Sequence, residues 1–362
     1  MHDFDNFVFI ATAAINNVGY QKASSAPYLL QYQANKTACK EIIQSSDVVI
    51  FGDCPDSLIA LRMIQNKLSF LFSERFLKKG IWRRFIPTTR RKIYNRTLKF
   101  QNKNFYVLCA SAYLSYDLTL MGFPAHKCFK WGYFPQMKRY QSDEILKLKS
   151  SDGVIRLIWV ARLIPLKHPE HVIELAKILR NKDIPFTLEM IGDGILKNSL
   201  QNSIKSEKLE NFINLAGSLS PEEVRLHMEK ADIFIFSSDF HEGWGAVVNE
   251  AMNSACAVVC SHAAGCANFL IHHDTNGLIY ESGNIQSLYD CVKALINDKE
   301  KRRSISLQAY KTIITHWNAD IASSRLKKLI NGIQCGKADW NEQGVCSQAN
   351  VINPNYNKHK EY

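Results

Sequence analysis

"DIFIFSSDFHEGWGAVVNEAMNSACAVVCS", residues 232–261, sets a strand, a loop, a helix and a second strand end to end. "DIFIFSS" (232–238) and "AVVCS" (257–261) are short and almost wholly apolar, as strands covered on both faces must be. "GAVVNEAMNS" reads as the helix between them, and "DFHEGWG" as the loop at the first strand's carboxyl end. Glycines let a backbone come close to a ligand, and a helix start offers free N–H groups and a positive dipole end. That combination suits a phosphate. Glu242 and Glu250 stand eight positions apart, about 12 Å along a helix. This is the length of a sugar diphosphate with its ribose, so one carboxylate can hold sugar hydroxyls and the other ribose hydroxyls.

The same alternation extends in both directions. Further strands are expected over 7–12, 47–52, 69–73 and 105–111, then over 155–161 and 186–192. Helical periodicity separates them. In "HPEHVIELAKILR" (168–180), Val172, Leu175, Ala176 and Leu179 fall on one face. "PEEVRLHMEKA" (221–231) opens with Ser220 as N-cap, Pro221 at the first helical position and acids in the first turn. Repeated β–α alternation predicts an α/β chain of two doubly wound, Rossmann-like domains. The polar stretch 141–153 reads as the linker. Ligands of such sheets lie beyond the carboxyl ends of the strands, so the active site is expected in the cleft between the domains.

A chain of 362 residues is long enough for two cores. No run of about 18 apolar residues predicts a membrane span. The start, "MHDFDNFVFIATAAI", is acidic rather than basic before its apolar part, which argues against a secretory signal and for the cytoplasm. The ten cysteines form no C-x-x-C pair and read as reduced core residues. Cys256, Cys260, Cys266, His262, His272 and His273 match no standard zinc spacing, and no metal is expected. Residues 1–150 hold 22 Lys/Arg against 10 Asp/Glu, a net of +12; the remainder hold 23 against 24, a net of −1. Residues 75–103 contain 11 basic side chains and no acid, with Trp82, Phe85 and Ile86 among them. Such a segment suits an anionic membrane surface. No nucleic-acid motif accompanies it, so nucleic acid is not expected as a partner.

E-x7-E with an aromatic between two glycines, followed by Glu-Ala-Met and a buried strand, resembles the group 1 retaining glycosyltransferases (GT4 family, GT-B fold). "WVARLIPLKH" (159–168) is similar to their G-R-L-x-x-x-K-G segment, and "MIGDGILKNSL" (190–200) to their I-G-D-G-x-L loop. "NLAGSLSPEEV", with Gly217, and "HHDTNGLIYESGN" (272–284) resemble two later segments. The likeness runs from about residue 104 to 333.

The resemblance implies a fold of two domains facing across a cleft. They are an acceptor domain over 1–150 lacking its first βα unit, and a donor domain over 151–315. A helix over 316–333 crosses back, and a polar tail follows over 334–362. It also implies roles. Arg162 and Lys167 would bind the donor diphosphate. Glu242 would hold the transferred sugar near its developing positive charge, and Glu250 the ribose. Gly192, Asp193, Gly217, Gly243, Trp244, Gly245 and Ala246 would line the donor site. Ser73, Glu74 and Arg75 fall where relatives carry a supporting histidine on the acceptor side. The implied reaction is front-face transfer from a nucleotide-diphosphate sugar to a saccharide or lipid-linked acceptor, with no cofactor required. Ala255 departs from the family's usual glycine; if that position has φ > 0, alanine costs about 1 kcal/mol. Competing readings are a non-catalytic nucleotide-sugar-binding remnant and a sugar-nucleotide epimerase.

Overall fold

A computed structural model of the chain describes residues 4, 6–13, 26–140, 142–149, 153–336 and 343–355. The chain divides into two compact units. The first comprises Met1–Trp131 with Ala322–Ile352, the second Gly132–Ile321 with Asn353–Tyr362.

The second unit is built on six parallel strands: β7 (Ile155–Val160), β8 (Phe186–Ile191), β9 (Ile213–Gly217), β10 (Ile233–Phe236), β11 (Ala257–Ser261) and β12 (Leu278–Tyr280). Their order is β12-β11-β10-β7-β8-β9. The central β10 and β11 are buried at every position, which explains their unbroken apolar sequence. Toward one edge, β8 alternates, with Thr187 exposed and Leu188 buried. The helix Pro169–Asn181 covers one face through Val172, Leu175, Ala176 and Leu179, all fully buried. Each leucine so buried stabilises by about 1.5–3 kcal/mol. Ser220 caps the helix Pro221–Lys230 in a full capping box with Glu223.

The sequence reading drew a boundary at 150 and a linker over 141–153. Hydrogen bonds attach the preceding residues to the second unit. The Lys138 N–H donates to Asn253 (2.8 Å) and the Tyr140 N–H to the Tyr310 hydroxyl (2.7 Å). Lys149 Nζ donates to the carbonyls of Ala231 (2.7 Å) and Ser254 (2.9 Å), and burial lowers its pKa. The stretch also holds the helix Ser142–Lys147, whose Ile145 is fully buried.

In the first unit, β3 (Val49–Phe51), β4 (Ser69–Ser73), β5 (Phe105–Cys109) and β6 (Cys128–Lys130) form a four-stranded parallel sheet in sequence order. β1 (Phe9–Ala11), within the strand expected over 7–12, pairs in parallel with β2 (Leu29–Gln31) as a separate sheet. Arg62 is wholly buried and donates to the carbonyls of Ile43, Gln44, Ser46, Asp47 and Leu68. It thereby satisfies the carboxyl end of the helix Lys36–Ser45.

The last helix, Ala319–Cys335, passes from the second unit into the first at Ala322. The tail then gains a role that its polarity did not reveal. The Cys346 N–H donates to Lys130 O (2.8 Å), the Lys130 N–H to Ser347 O (2.8 Å) and the Ala349 N–H to Cys128 O (2.9 Å). Phe129 and Gln348 form an antiparallel bridge, so the tail closes the free edge of β6.

Candidate active site

In the second sheet the chain runs β7, β8, β9 to one side and then returns to lay β10, β11, β12 on the other. The reversal falls between β7 and β10. A parallel sheet has its ligand crevice at such a point, beyond the carboxyl ends of the two strands. The loops there are those carrying Arg162 and Lys167 after β7, and Glu242 after β10.

Lys167 and Glu242 are ion-paired, each side chain 13% exposed. The ammonium also lies 5.3 Å from the Phe236 ring centroid. The backbone that holds the pair is fixed from below. Trp159 Nε1 donates to Ser237 Oγ (2.9 Å), and that hydroxyl donates to Lys167 O (2.6 Å). The Asp239 N–H donates to Leu166 O (3.0 Å), joining the two loops directly. Sequence reasoning missed Trp159, Ser237 and Asp239. The signal for the first was a tryptophan in a buried strand, whose N–H must find an acceptor. Arg162 is exposed and has no side-chain partner among the described residues.

The loop after β8 packs against the loop after β7. The Leu163 N–H donates to Asp193 O (2.9 Å) and the Gly192 N–H to Gly217 O (2.8 Å). Gly192 has φ +142°, and a Cβ there would stand 1.9 Å from Ala161 O. Only glycine allows this approach. Asp193 is exposed; Lys197 (2.9 Å) and the Gly194 amide (2.7 Å) hold its carboxyl below the usual range.

The loop after β10 ends at Gly245, φ +96°, the N-cap of the helix Ala246–Asn253. A Cβ at Gly245 would meet the Phe236 ring at 2.8 Å. The Trp244 indole belongs to the core rather than to the donor contacts expected of it. It is 1% exposed, packs on Phe269 and Trp317, and donates Nε1–H to Asn249 Oδ1 (2.9 Å). Gly132 is kept bare by the same ring, since its Cβ would lie 2.4 Å away. Gly243 is buried and Ala246 half-buried. Glu250 lies one helical turn further on, half-buried, with no hydrogen bond or ion pair to its carboxylate among the described residues. Burial raises its pKa, opposed by the Arg225 charge.

In the first unit, Arg75 is corrected from an acceptor-side to a structural role. Its guanidinium Nε is 3.1 Å from Asp117, both side chains are buried, and Asp117 also accepts from the Leu77 N–H (2.9 Å). Burial raises the Asp117 pKa, and Arg75 opposes the rise. Glu74 pairs with Lys78 (2.5 Å) and Ser73 Oγ donates to Glu74 O (2.9 Å); both residues are half-buried at the end of β4.

Residues 141–312 match the family Glycosyl transferases group 1. The amylovoran biosynthesis glycosyltransferase AmsK of Erwinia amylovora is 28% identical over 77% of this chain and 67% of its own length. A Campylobacter jejuni N-acetylgalactosamine-N,N'-diacetylbacillosaminyl-diphospho-undecaprenol 4-alpha-N-acetylgalactosaminyltransferase is 31% identical over 40% of this chain and 38% of its own. The chain thus aligns with about two thirds of one relative and under two fifths of the other. The crystal structure of Anabaena Alr3699/HepE in complex with UDP superposes over 85% of each chain with a TM-score of 0.63 at 16% identity. That likeness gives the fold: two parallel-sheet α/β domains of the GT-B type. The chain's similarity to the group 1 glycosyltransferases is carried by its second unit, within which the matched residues 141–312 lie.

Proposed function

We propose that this protein is a retaining glycosyltransferase that moves a sugar from a nucleotide-diphosphate donor to a saccharide or lipid-linked saccharide in cell-surface glycan synthesis. The observation that carries the reading is the constellation at the reversal between β7 and β10. Two cations, Arg162 and Lys167, stand on one side of the crevice. Glu242, the Gly245–Ala246 helix start and the unpartnered Glu250 stand on the other. Arg162 and Lys167 bind the diphosphate and stabilise it as it leaves. Glu250 accepts the ribose hydroxyls, and Glu242 faces the sugar carbon as positive charge develops on it. The bond from that carbon to the phosphate oxygen breaks while the acceptor oxygen bonds on the same face. The departing phosphate takes the acceptor's proton, so the reading assigns no side-chain base. Gly192, Asp193, Gly217 and Gly243 complete the donor rim.

The relatives support the substrate class. One is named for amylovoran biosynthesis and another for a sugar carried on diphospho-undecaprenol, and HepE is crystallised with UDP. Ser73 and Glu74 are the acceptor-side candidates that remain. Among the described residues the main sheet of the first unit has four strands against six in the second. Among those residues no helix is long and apolar enough to cross a membrane. The basic 75–103 segment is read as a peripheral membrane contact, because Trp82 is 58% and Phe85 67% exposed among arginines.

The test is a thermal-shift panel of nucleotide diphosphates and nucleotide-sugars, repeated with Arg162→Ala and Glu250→Ala. A ligand at 100 times its dissociation constant stabilises by about 2.7 kcal/mol. A shift with one nucleotide, lost in both variants, is expected. No shift with any nucleotide leaves the binding site without a function and overturns the reading.

A further inference from the structure

The helix after β9 carries an arginine that no motif marks. Arg225 lies on the helix Pro221–Lys230 and reaches across to the helix Ala246–Asn253. Its Nη1–H donates to Asn253 Oδ1 (2.8 Å) and its Nη2–H to Gln136 O (2.8 Å). Asn253 is buried, and its amide is fixed in turn. Oδ1 also accepts from the Lys138 N–H (2.8 Å), and the amide nitrogen donates to Lys138 O (2.9 Å). A planar guanidinium bonded at two nitrogens to anchored, neutral acceptors has little freedom left.

Asn253 and Glu250 are three residues apart on one helix, so they share a face, with Cβ atoms about 5–6 Å apart. A guanidinium seated on Asn253 therefore stands beside the Glu250 carboxylate, which has no hydrogen bond or ion pair of its own among the described residues. The other polar groups facing this corner are occupied. Glu229, buried, takes Lys138 Nζ (2.8 Å) and the Tyr140 hydroxyl. The Tyr310 hydroxyl, from the helix Lys299–His316, donates to Tyr140 O (3.0 Å) and accepts from the Tyr140 N–H (2.7 Å). Two cations thus face two carboxylates. With Lys138 on Glu229, Arg225 is left to Glu250, although its charge reaches Glu229 as well. Burial pushes the Glu250 pKa up, and Arg225 is the charge that pulls it back.

We propose that Arg225 is a positioning residue for Glu250: held by Asn253 and Gln136, it supplies the countercharge that keeps the Glu250 carboxylate ionised for the ribose hydroxyls of the donor. The ribose rests on the proposed donor reading; the effect on the carboxylate does not. A half-buried carboxyl with no hydrogen bond favours its protonated form, and that form is the weaker acceptor. Because the guanidinium bonds Asn253 and not Glu250, the lone pairs of the carboxylate stay open to a ligand.

The ligand-free full chain tests the countercharge. Urea denaturation of the parent and of Glu250→Gln is compared from about pH 4 to about pH 8. Their difference opens above the pKa of an unfolded carboxyl and stops widening at the folded one. The same comparison in an Arg225→Gln background should move that endpoint up by at least about half a pH unit. Arg225→Lys, which keeps the charge, should move it less, and Lys230→Gln, an exposed cation on the same helix, not at all. A role in packing alone would lower every midpoint and leave the endpoint in place. Calorimetry with UDP, GDP and ADP reads the ribose: affinity for whichever binds should begin to fall on acidification at a higher pH in Arg225→Gln than in the parent. An unmoved endpoint in Arg225→Gln, an equal shift in Lys230→Gln, or an equal fall of affinity in variant and parent overturns the proposal. Absence of binding of all three by the parent would count against the donor reading instead, and the carboxyl endpoint would still decide the role of Arg225.

Discussion

Lys167 donates to Glu242 across the reversal of the second sheet, so the cation assigned to the donor diphosphate neutralises the carboxylate assigned to the sugar. Donor binding must part them, or admit a phosphate that shares the ammonium. The two substitutions therefore act differently. Lys167→Ala should weaken binding of a nucleoside diphosphate about tenfold or more, since a charge-assisted contact is worth about 1.5–3 kcal/mol. Glu242→Gln should leave that binding equal or tighter, because Lys167 loses its competitor, while transfer falls about 100-fold. Calorimetry with the diphosphate and initial rates with a nucleotide-sugar separate the effects. Parallel loss of binding in both variants would refute the division of labour.

Glu250 should show opposed effects on stability and on binding. Burial raises its pKa in the folded chain. A carboxyl shifted in that direction favours the fold while protonated and loses the contribution as pH rises through the folded value. Glu250→Gln should therefore stabilise the ligand-free protein at neutral pH by roughly 1 kcal/mol, with the two proteins converging in acid. The nucleotide-induced thermal shift should shrink in the same variant, because an amide is a weaker acceptor for ribose hydroxyls. Melting curves across pH, with and without nucleotide, test both parts.

Gly192 and Gly217 differ in what surrounds them, although both have positive φ. A methyl at Gly192 would stand 1.9 Å from a backbone oxygen, whereas at Gly217 nothing lies within 4 Å. Gly192→Ala should cost about 2–3 kcal/mol, and Gly217→Ala about 1 kcal/mol from backbone conformation alone. Chemical denaturation of the two variants should reproduce that order. Equal losses would mean that the β8 loop can move away from Ala161.

Trp82 and Phe85 stand exposed beside Arg83 and Arg84. If they enter a bilayer interface, Trp82→Ser with Phe85→Ser should abolish co-sedimentation with anionic vesicles at low salt and leave thermal stability within about 0.5 kcal/mol. Binding that survives the double substitution and vanishes in salt would belong to the arginines alone.

The legible part of this chain was the part governed by local rules. Apolar-rich runs marked β7, β8, β10 and β11, and Ser220, Pro221 and Glu223 marked a helix start that the structure reproduces as a capping box. β6 and β12, three residues each, stayed hidden, whereas the equally short β1 and β3 showed because they lie within longer apolar runs. Long-range pairing hid the rest. Arg75 looked available until Asp117, 42 positions away, proved to hold it. The tail's pairing with β6 left no mark in its polar sequence, because backbone groups alone make it. Arg162, Lys167, Glu242 and Glu250 could be singled out as candidates through their motifs, but the Lys167–Glu242 ion pair could not.

Ala255 tests how backbone strain and burial offset each other. It follows the helix Ala246–Asn253, has φ +48° and accepts the left-handed turn that the sequence reading made conditional. The Cys256 N–H reaches back to Ala251 O (3.0 Å), closing the helix end. Relieving the strain with Ala255→Gly should gain about 1 kcal/mol. The methyl is fully buried against Ile145 and Tyr310, and its loss should cost about 0.8 kcal/mol. The two nearly cancel, so Ala255→Gly should change stability by less than about 0.5 kcal/mol. Ala255→Val keeps the burial and adds β-branching at positive φ, and should lose about 2 kcal/mol or more. Urea denaturation of both variants measures the terms separately. A gain of a full kcal/mol in the glycine variant would mean that the methyl contributes nothing to the Ile145–Tyr310 contact.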